Sequence, residues 1–528
     1  MQKLVATSLA SLMFAGTLIN PAIADAQSGT KTPIKHLVVI FQENVSFDHY
    51  FGTYPYAVNP PKEPAFHAAA GTPAINGFTD GLLFNNPNFL NTAVNGAAAA
   101  NPFRLDRSEA ATADQDHDYT AEQQAFNNGL MDGFPKYTGT PGPPPAGQTT
   151  GGLVMGYYDG NTVTALWNYA QRFAMSDNSF GTNFGPSTDG AINLIAGQLN
   201  GVVDQSNADA DIVSDGGGGY TLISDADPVG DICSTTTGAL VAMGGTNVGD
   251  MLNSRGITWG FFEGGFDLSI KNANGTTGCA RSTVSTVTGV KKADYIPHHQ
   301  PFQYYTSTAN PKHVRPTSPS TVGIDGDPAN HQYDIHDFFD ALKQGNFPTV
   351  SFLKASGYQD GHAGYSDPLD EQTFITNTIN ILQKQKDWAN TAVIIAYDDS
   401  DGWYDHQMGP IVNQSATAQD ALTGAGLCGT GASALPGVNV AHAQGRCGYG
   451  PRLPLLVISP YAKKNYVDHT VTDQSSILRF IEDNWLGNQR IPGSFDALAG
   501  KLNGMFNFHA APDLAPYFLS TSTGEPID

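Results

Sequence analysis

His36-Leu37-Val38-Val39-Ile40-Phe41-Gln42-Glu43-Asn44-Val45-Ser46-Phe47-Asp48-His49-Tyr50-Phe51-Gly52 decides how the rest of the chain is read. Leu37 to Phe41 is a short, uninterrupted apolar run of the kind that forms a strand buried on both faces. Glu43 and Asn44 follow directly at its end. Ligands of open α/β sheets bind beyond the carboxyl ends of strands, so a carboxylate and an amide arriving there together mark a candidate site. Taken alone, Glu-Asn reads equally well as the start of a helix.

Outward from this stretch, helical and strand patterns alternate. Helices are expected at Ser46 to Phe51, Thr120 to Leu130, Thr162 to Arg172, Ala191 to Leu199, Val248 to Ser254, Tyr333 to Lys343, Leu369 to Lys386 and Ser475 to Leu486. Strands are expected at Phe173 to Phe180, Ile257 to Phe262, Thr349 to Leu353, Thr391 to Tyr397 and Leu453 to Ser459. The alternation predicts an α/β fold with a mainly parallel central sheet flanked by helices. Two long segments, about 55–152 and 263–330, lack clear periodicity and read as insertions, the first rich in Pro, Gly, Ala and Asn. No boundary divides residues 27–528 into separate domains.

Met1 to Ala26 reads as a secretory signal: Lys3, an apolar run from Leu4 to Ile19, then small residues around Ala24 and Ala26. No later run approaches the length that spans a bilayer, so no permanent membrane anchor is expected. With 26 Lys and Arg against 49 Asp and Glu, the formal net charge is -23. Such a surface repels nucleic acid, and a phosphate site on it needs local positive charge, most simply a metal. In an exported chain, Cys233, Cys279, Cys428 and Cys447 suggest two disulfides, and sequence neighbours would pair 233 with 279 and 428 with 447. None lies in a CxxC pair, which argues against a thiolate zinc site.

Glu43-Asn44, His362 and Asp398-Asp399 each follow an expected strand, and a parallel sheet brings such ends to one edge. Ser187 falls on a Gly-Pro turn at a helix N-terminus, where free N–H groups favour a bound phosphate. Capping logic does not rank Ser187, Thr188 and Asp189, since Ser and Thr are ordinary N-caps. Glu43, Asn44, Asp398 and Asp399 form an oxygen-rich set that suits a hard divalent cation of the Ca, Mg or Mn type. His117, within Asp114-Gln115-Asp116-His117-Asp118, and the pair His298-His299 complete the candidates.

Five segments together carry a resemblance: residues 43–52, Phe-Gly-Pro-Ser-Thr at 184–188, His-His-x-Pro-Phe-Gln-Tyr-Tyr at 298–305, Gly-His-Ala-Gly at 361–364 and Tyr-Asp-Asp at 397–399. In this order they resemble the bacterial acid phosphatase A / phospholipase C family, a branch of the alkaline phosphatase superfamily. The resemblance implies an alkaline-phosphatase-like core with Ser187 as nucleophile. It also implies one metal on Glu43, Asn44, Asp398, Asp399 and the Ser187 oxygen, with His117, His299 and His362 around the phosphoryl group. Where that branch has Ser-Thr-Pro-Gly, this chain has Ser187-Thr188-Asp189-Gly190, which places a further acid near the phosphate. Asp405-His406 and Asp468-His469 read as structural or as supports behind the residues that touch the metal and phosphate.

The expected activity is that of a secreted or periplasmic, broad-specificity acid phosphatase working through a phosphoserine. The alternative is a phospholipase C acting on phosphatidylcholine-type lipids; larger phospholipases of the family carry extra C-terminal β-domains, and this chain ends soon after its last helix, which tilts the expectation toward the phosphatase. A non-catalytic phosphate or glycan binder is the third reading. Its partners are accordingly small phosphoesters or phospholipid headgroups. No Cys/Ser-x-Pro-x-Arg motif surrounds Ser187, which argues against a sulfatase.

Overall fold

The computed structural model describes residues 29–140, 151–430 and 434–527. The expected leader at 1–26 lies outside them, as does most of the low-complexity stretch at 140–152. Eight strands form the central sheet: β1 His36–Gln42, β2 Ala174–Ser176, β3 Trp259–Glu263, β4 Gln332–Asp334, β5 Val350–Lys354, β6 Thr391–Tyr397, β7 Leu455–Ile458 and β8 Tyr466–Asp468. Their order across the sheet is β4-β3-β5-β1-β6-β7-β2-β8. Only β7 runs against its neighbours β6 and β2, and the other pairings are parallel. The α/β, mainly parallel expectation therefore holds.

Burial on both faces explains the apolar run in β1. Val38 and Ile40 enter one core, Leu37, Val39 and Phe41 the other; each such side chain contributes about 1.5–3 kcal/mol. The first core is covered by α1 Phe47–Phe51, α3 Thr164–Arg172, α5 Ile335–Lys343 and α6 Pro368–Leu382, the second by α4 Ser187–Ala196 and α7 Ser475–Trp485.

Several expected bounds shift for local reasons. Tyr333 belongs to β4 rather than to a helix, because the Asp334 carboxylate accepts the His336 N–H and starts α5 there, in a capping box with Asp337. The helix expected from Thr120 is α2 Tyr119–Phe126, stopped by Asn127 at φ 43°. The helix expected from Ala191 already begins at Ser187. The first insertion is built rather than shapeless: Asp80–Phe84, Pro87–Leu90 and Thr92–Asn95 are short helices, each with a Thr or Asn side chain capping its N-terminus. Cys233 pairs with Cys279 and Cys428 with Cys447, the sequence-neighbour connectivity. Among the described residues no helix is long and apolar enough to cross a membrane.

Candidate active site

Strand register assembles the site. β1 and β6 pair from His36 with Thr391 through Gln42 with Tyr397, so Glu43 and Asp398 leave the sheet side by side. On the other flank of β1, β5 ends in Lys354. Its fully buried Nζ bridges Glu43 Oε1 and, at 3.1 Å, Asp398 Oδ2. Asn44 turns the chain at φ 42°, a left-handed conformation that Asn tolerates better than most residues, and its N–H donates to Asp398 Oδ1 at 3.4 Å.

Helix α4 delivers the serine. It lies so close to the end of β6 that a Cβ on Gly190 would collide with the Asp398 carbonyl oxygen. Ser187, the first residue of α4, does not cap it. Its Oγ lies 3.0 Å from Asp399 Oδ2, 3.1 Å from Glu43 Oε2 and 3.4 Å from Asn44 Oδ1. One O–H satisfies one of these acceptors and leaves the others facing oxygen. Thr188 is turned elsewhere: its N–H and Oγ1 both donate to Asp225 Oδ1, at 3.0 and 2.8 Å. Asp189 is buried and accepts from Asn183 Nδ2 at 3.3 Å. Burial, reinforced by Asp225, pushes its carboxyl well above the usual range.

His117, His299 and His362 are all brought to this edge, and each is engaged through Nδ1. His117 Nδ1 donates to the Gln115 carbonyl at 2.8 Å, His362 Nδ1 to the Ala363 carbonyl at 2.6 Å, and His299 Nδ1 lies 3.2 Å from Glu43 Oε1. A proton exchanged with a substrate therefore resides on Nε2. His117 Nε2 is 3.4 Å from the Asn44 amide nitrogen, and the His117 and His362 rings meet edge to face at 5.9 Å. Burial acts to lower the His117 pKa, but the charges of Asp399 and Asp401 outweigh it and hold the ring well above its ordinary value. His299 and His362 are driven well below theirs, by burial first and then by Lys354 and His117 respectively. His298 turns to Asp227, its Nδ1 3.3 Å from Oδ1.

Positive charge is short here. Lys354 stays protonated despite burial because Asp398 and Glu43 outweigh the desolvation, yet it and His117 face Glu43, Asp398, Asp399, Asp401 and Asp360. Burial and Asp398 push Glu43 well above the carboxylate range, and Asp399 is pushed up to about 7, mainly by burial. Carboxylates crowded this way lack a counter-charge, and the oxygens around Ser187 Oγ are the donors a hard divalent cation prefers. Glu43, Asn44, Asp399 and Ser187 fit such an ion directly. The Asp398 carboxylate, expected in the same set, accepts from Lys354 Nζ, the Asn44 N–H and, at 2.8 Å, the Asp399 N–H. Two further groups of ligating atoms adjoin it, Glu43 with His299 and Asp360, and His117 with His362 and Asp401.

Lys354, Asp225, Asp401 and Glu122 are absent from the sequence-derived set. Glu122, buried in α2, accepts from the Gly185 N–H at 3.1 Å and from Ser400 Oγ at 2.6 Å, tying the serine turn to the Asp399 loop. Its signal was a lone acid on the apolar side of a helix. Asp405 and His406 join Asp48 around the buried Arg452, whose Nη2 donates to Asp48 Oδ1 at 2.9 Å and whose Nε donates to Asp405 Oδ2 at 3.1 Å.

The chain is 24% identical to the non-hemolytic phospholipase C of Burkholderia pseudomallei over 521 residues, which cover 96% of this chain and 63% of that protein. It is 24% identical to the Pseudomonas aeruginosa non-hemolytic phospholipase C over 525 residues, covering 97% and 62%. Phospholipase C B of Mycobacterium tuberculosis is 22% identical over 519 residues, covering 96% and 84%. The chain thus spans less than two thirds of the length of the first two. Among solved structures, human ectonucleotide pyrophosphatase/phosphodiesterase 5 matches at 11% identity over 65% of this chain and 94% of its own, with a TM-score of 0.31, too loose to carry an argument about the site. A model of the phosphoesterase family matches residues 34–486, from the start of β1 to the end of α7, and the chain belongs to that family.

Proposed function

We propose that the protein hydrolyses phosphoric esters through Ser187, and that its substrate is the phosphodiester of a phospholipid headgroup, the reaction of a phospholipase C. The carrying observation is Ser187 Oγ at the start of α4, within 3.0–3.4 Å of Glu43, Asn44 and Asp399. The phospholipase C relatives support the lipid diester over the monoester expected from the sequence. A hard divalent cation held by Glu43, Asn44, Asp398, Asp399 and the Ser187 oxygen would stabilise the alkoxide and offset charge on the phosphoryl oxygens. Ser187 Oγ gives its proton to the Asp399 carboxylate 3.0 Å away and attacks phosphorus, the P–O bond to the leaving alcohol breaks, and His117 Nε2 supplies the proton that alcohol takes. Water then hydrolyses the phosphoserine, with His117 facing the phosphoryl charge. We place residues 27–528 in one phosphoesterase domain with two insertions, working outside the cytoplasm, where its two disulfides persist.

The test compares initial rates on phosphatidylcholine and on a soluble aryl phosphomonoester, with Ser187→Ala and chelated protein alongside. Lipid cleavage should dominate and both controls should be inactive. Dominant monoester turnover would make the protein an acid phosphatase with the same nucleophile. Full activity without Ser187 would remove the phosphoserine route, and inactivity on both substrates would leave a phosphoester binder.

A further inference from the structure

The helical stretch Asp80–Asn95 of the first insertion is turned inside out. Its asparagines point inward and fix it to the body: Asn86 and Asn88 are fully buried and Asn95 is 5% exposed. Asn86 Nδ2 donates to Tyr404 Oη at 3.0 Å, Asn88 Nδ2 to the Met131 carbonyl at 2.8 Å and Asn95 Nδ2 to the Asp132 carbonyl at 2.8 Å. Phe84, Phe89 and Leu90 face outward instead, 67%, 44% and 63% exposed, as does Leu130 at 62%, while Phe66, Leu105, Phe126, Met131 and Phe134 pack into the cores. Leu130 joins the helical residues because Asp132, two positions on, is tied to Asn91 at 2.8 Å and to Asn127 at 2.9 Å. Tyr404, which anchors Asn86 and packs edge to face on Phe134 at 5.1 Å, belongs to the loop that leaves the sheet through Asp398 and Asp399. The patch therefore hangs from the sheet edge that carries Ser187.

Charge indicates what covers it. In a chain of net charge -23, Gly81 to Phe103 contains no Asp, Glu, Lys, Arg or His. The carboxylate of Asp132 is spent on asparagine amides. An uncharged apolar surface rimmed by amides matches a zwitterionic lipid interface, whereas the rest of the molecule repels an anionic one. Four side chains this exposed are the scale of a surface patch and fall short of the roughly 20–30 residues a side that a stable protein pair buries. We propose that Phe84, Phe89, Leu90 and Leu130 form an interfacial docking surface that inserts into the headgroup region of phosphatidylcholine membranes and holds the Ser187 site at the lipid. The inference rests on the phospholipase C reading for its purpose, but its binding step can be measured apart from catalysis.

The experiment uses the full chain with Ser187→Ala, so that vesicles stay intact, and measures co-sedimentation with phosphatidylcholine vesicles and with vesicles containing phosphatidylglycerol as well. The protein should bind the zwitterionic vesicles and bind less as anionic lipid is added. Phe84→Ser/Leu90→Ser/Leu130→Ser should weaken vesicle binding by about tenfold or more. In the active protein the same triple change should slow cleavage of vesicle lipid comparably and leave turnover of a soluble aryl phosphoester unchanged. Unchanged vesicle affinity in the triple variant overturns the proposal, as does a wild-type dimer that this variant dissociates, because a second copy would then occupy the patch. Patch-dependent binding by a wild-type protein that releases no diacylglycerol would sustain the docking surface and refute the phospholipase reading alone.

Discussion

Lys354 stands where a parallel strand next to its centre ordinarily carries an apolar side chain. It is fully buried and bonded to Glu43 and Asp398. Replacing it with Met would leave two carboxylates unpaired in a dry site, and breaking a buried pair typically costs about 3–5 kcal/mol. Lys354→Met should therefore lower the free energy of unfolding in chelator by about that amount. The deficit should narrow when a divalent cation is added. It should also narrow in acid: without the lysine the folded-state carboxyls titrate further above their unfolded values, so the stability of their protonated forms is present at low pH and lost as pH rises. Urea titrations of both proteins with and without metal check this; an equal midpoint under all conditions would show that the pair carries no energy. From sequence, a lone lysine at the end of an apolar run reads as a solvated end, and only the register of three strands shows that it is enclosed.

At the scale of elements, the position of α4 against β6 decides reactivity. Helix propensity alone favours Ala over Gly at position 190 by about 1 kcal/mol. Here the added methyl meets the Asp398 carbonyl, so Gly190→Ala should displace the helix that presents Ser187. A shift near 1 Å costs about a hundredfold in rate. The expected result is a folded protein with kcat reduced by about that factor, measured on the soluble ester with circular dichroism as a fold control. Wild-type turnover would mean that the helix tolerates the shift. The element pattern itself was largely legible: seven-residue β1 and β6 were read close to their bounds because both are apolar runs buried on two faces. Missed were β4 and β8, three residues each, whose strand state comes from neighbours rather than from their own pattern.

At the scale of the molecule, buried acids set the pH response. Glu371 accepts from Tyr50 Oη at 2.9 Å and Tyr397 Oη at 2.6 Å, joining α6 to α1 and β6, and burial raises its pKa to about 8. Glu122 is likewise raised to about 8, by burial. Carboxyls raised in the folded state bind protons that the unfolded chain has released, so their stabilisation is present below the ordinary glutamate range and lost as pH rises toward 8. Each contributes a slope of at most about 1.4 kcal/mol per pH unit. The unfolding free energy should fall between about pH 5 and pH 8, and Glu371→Gln should flatten the decline. A stability that climbs over that range would contradict the folded-state burial of these acids.

Local chemistry determined where strands begin and end, and hence that Glu43, Asn44, Asp398 and Asp399 emerge at one sheet edge. Periodicity, strand-end position and turn residues are written over a few neighbouring residues. Which oxygens meet Ser187, that Thr188 is claimed by Asp225, that Asp189 sits as a buried acid and that Phe84 and Leu90 face outward were decided by tertiary structure. Each depends on register and burial between segments far apart in the chain, and a side chain's charge and exposure are properties of those surroundings rather than of its own sequence.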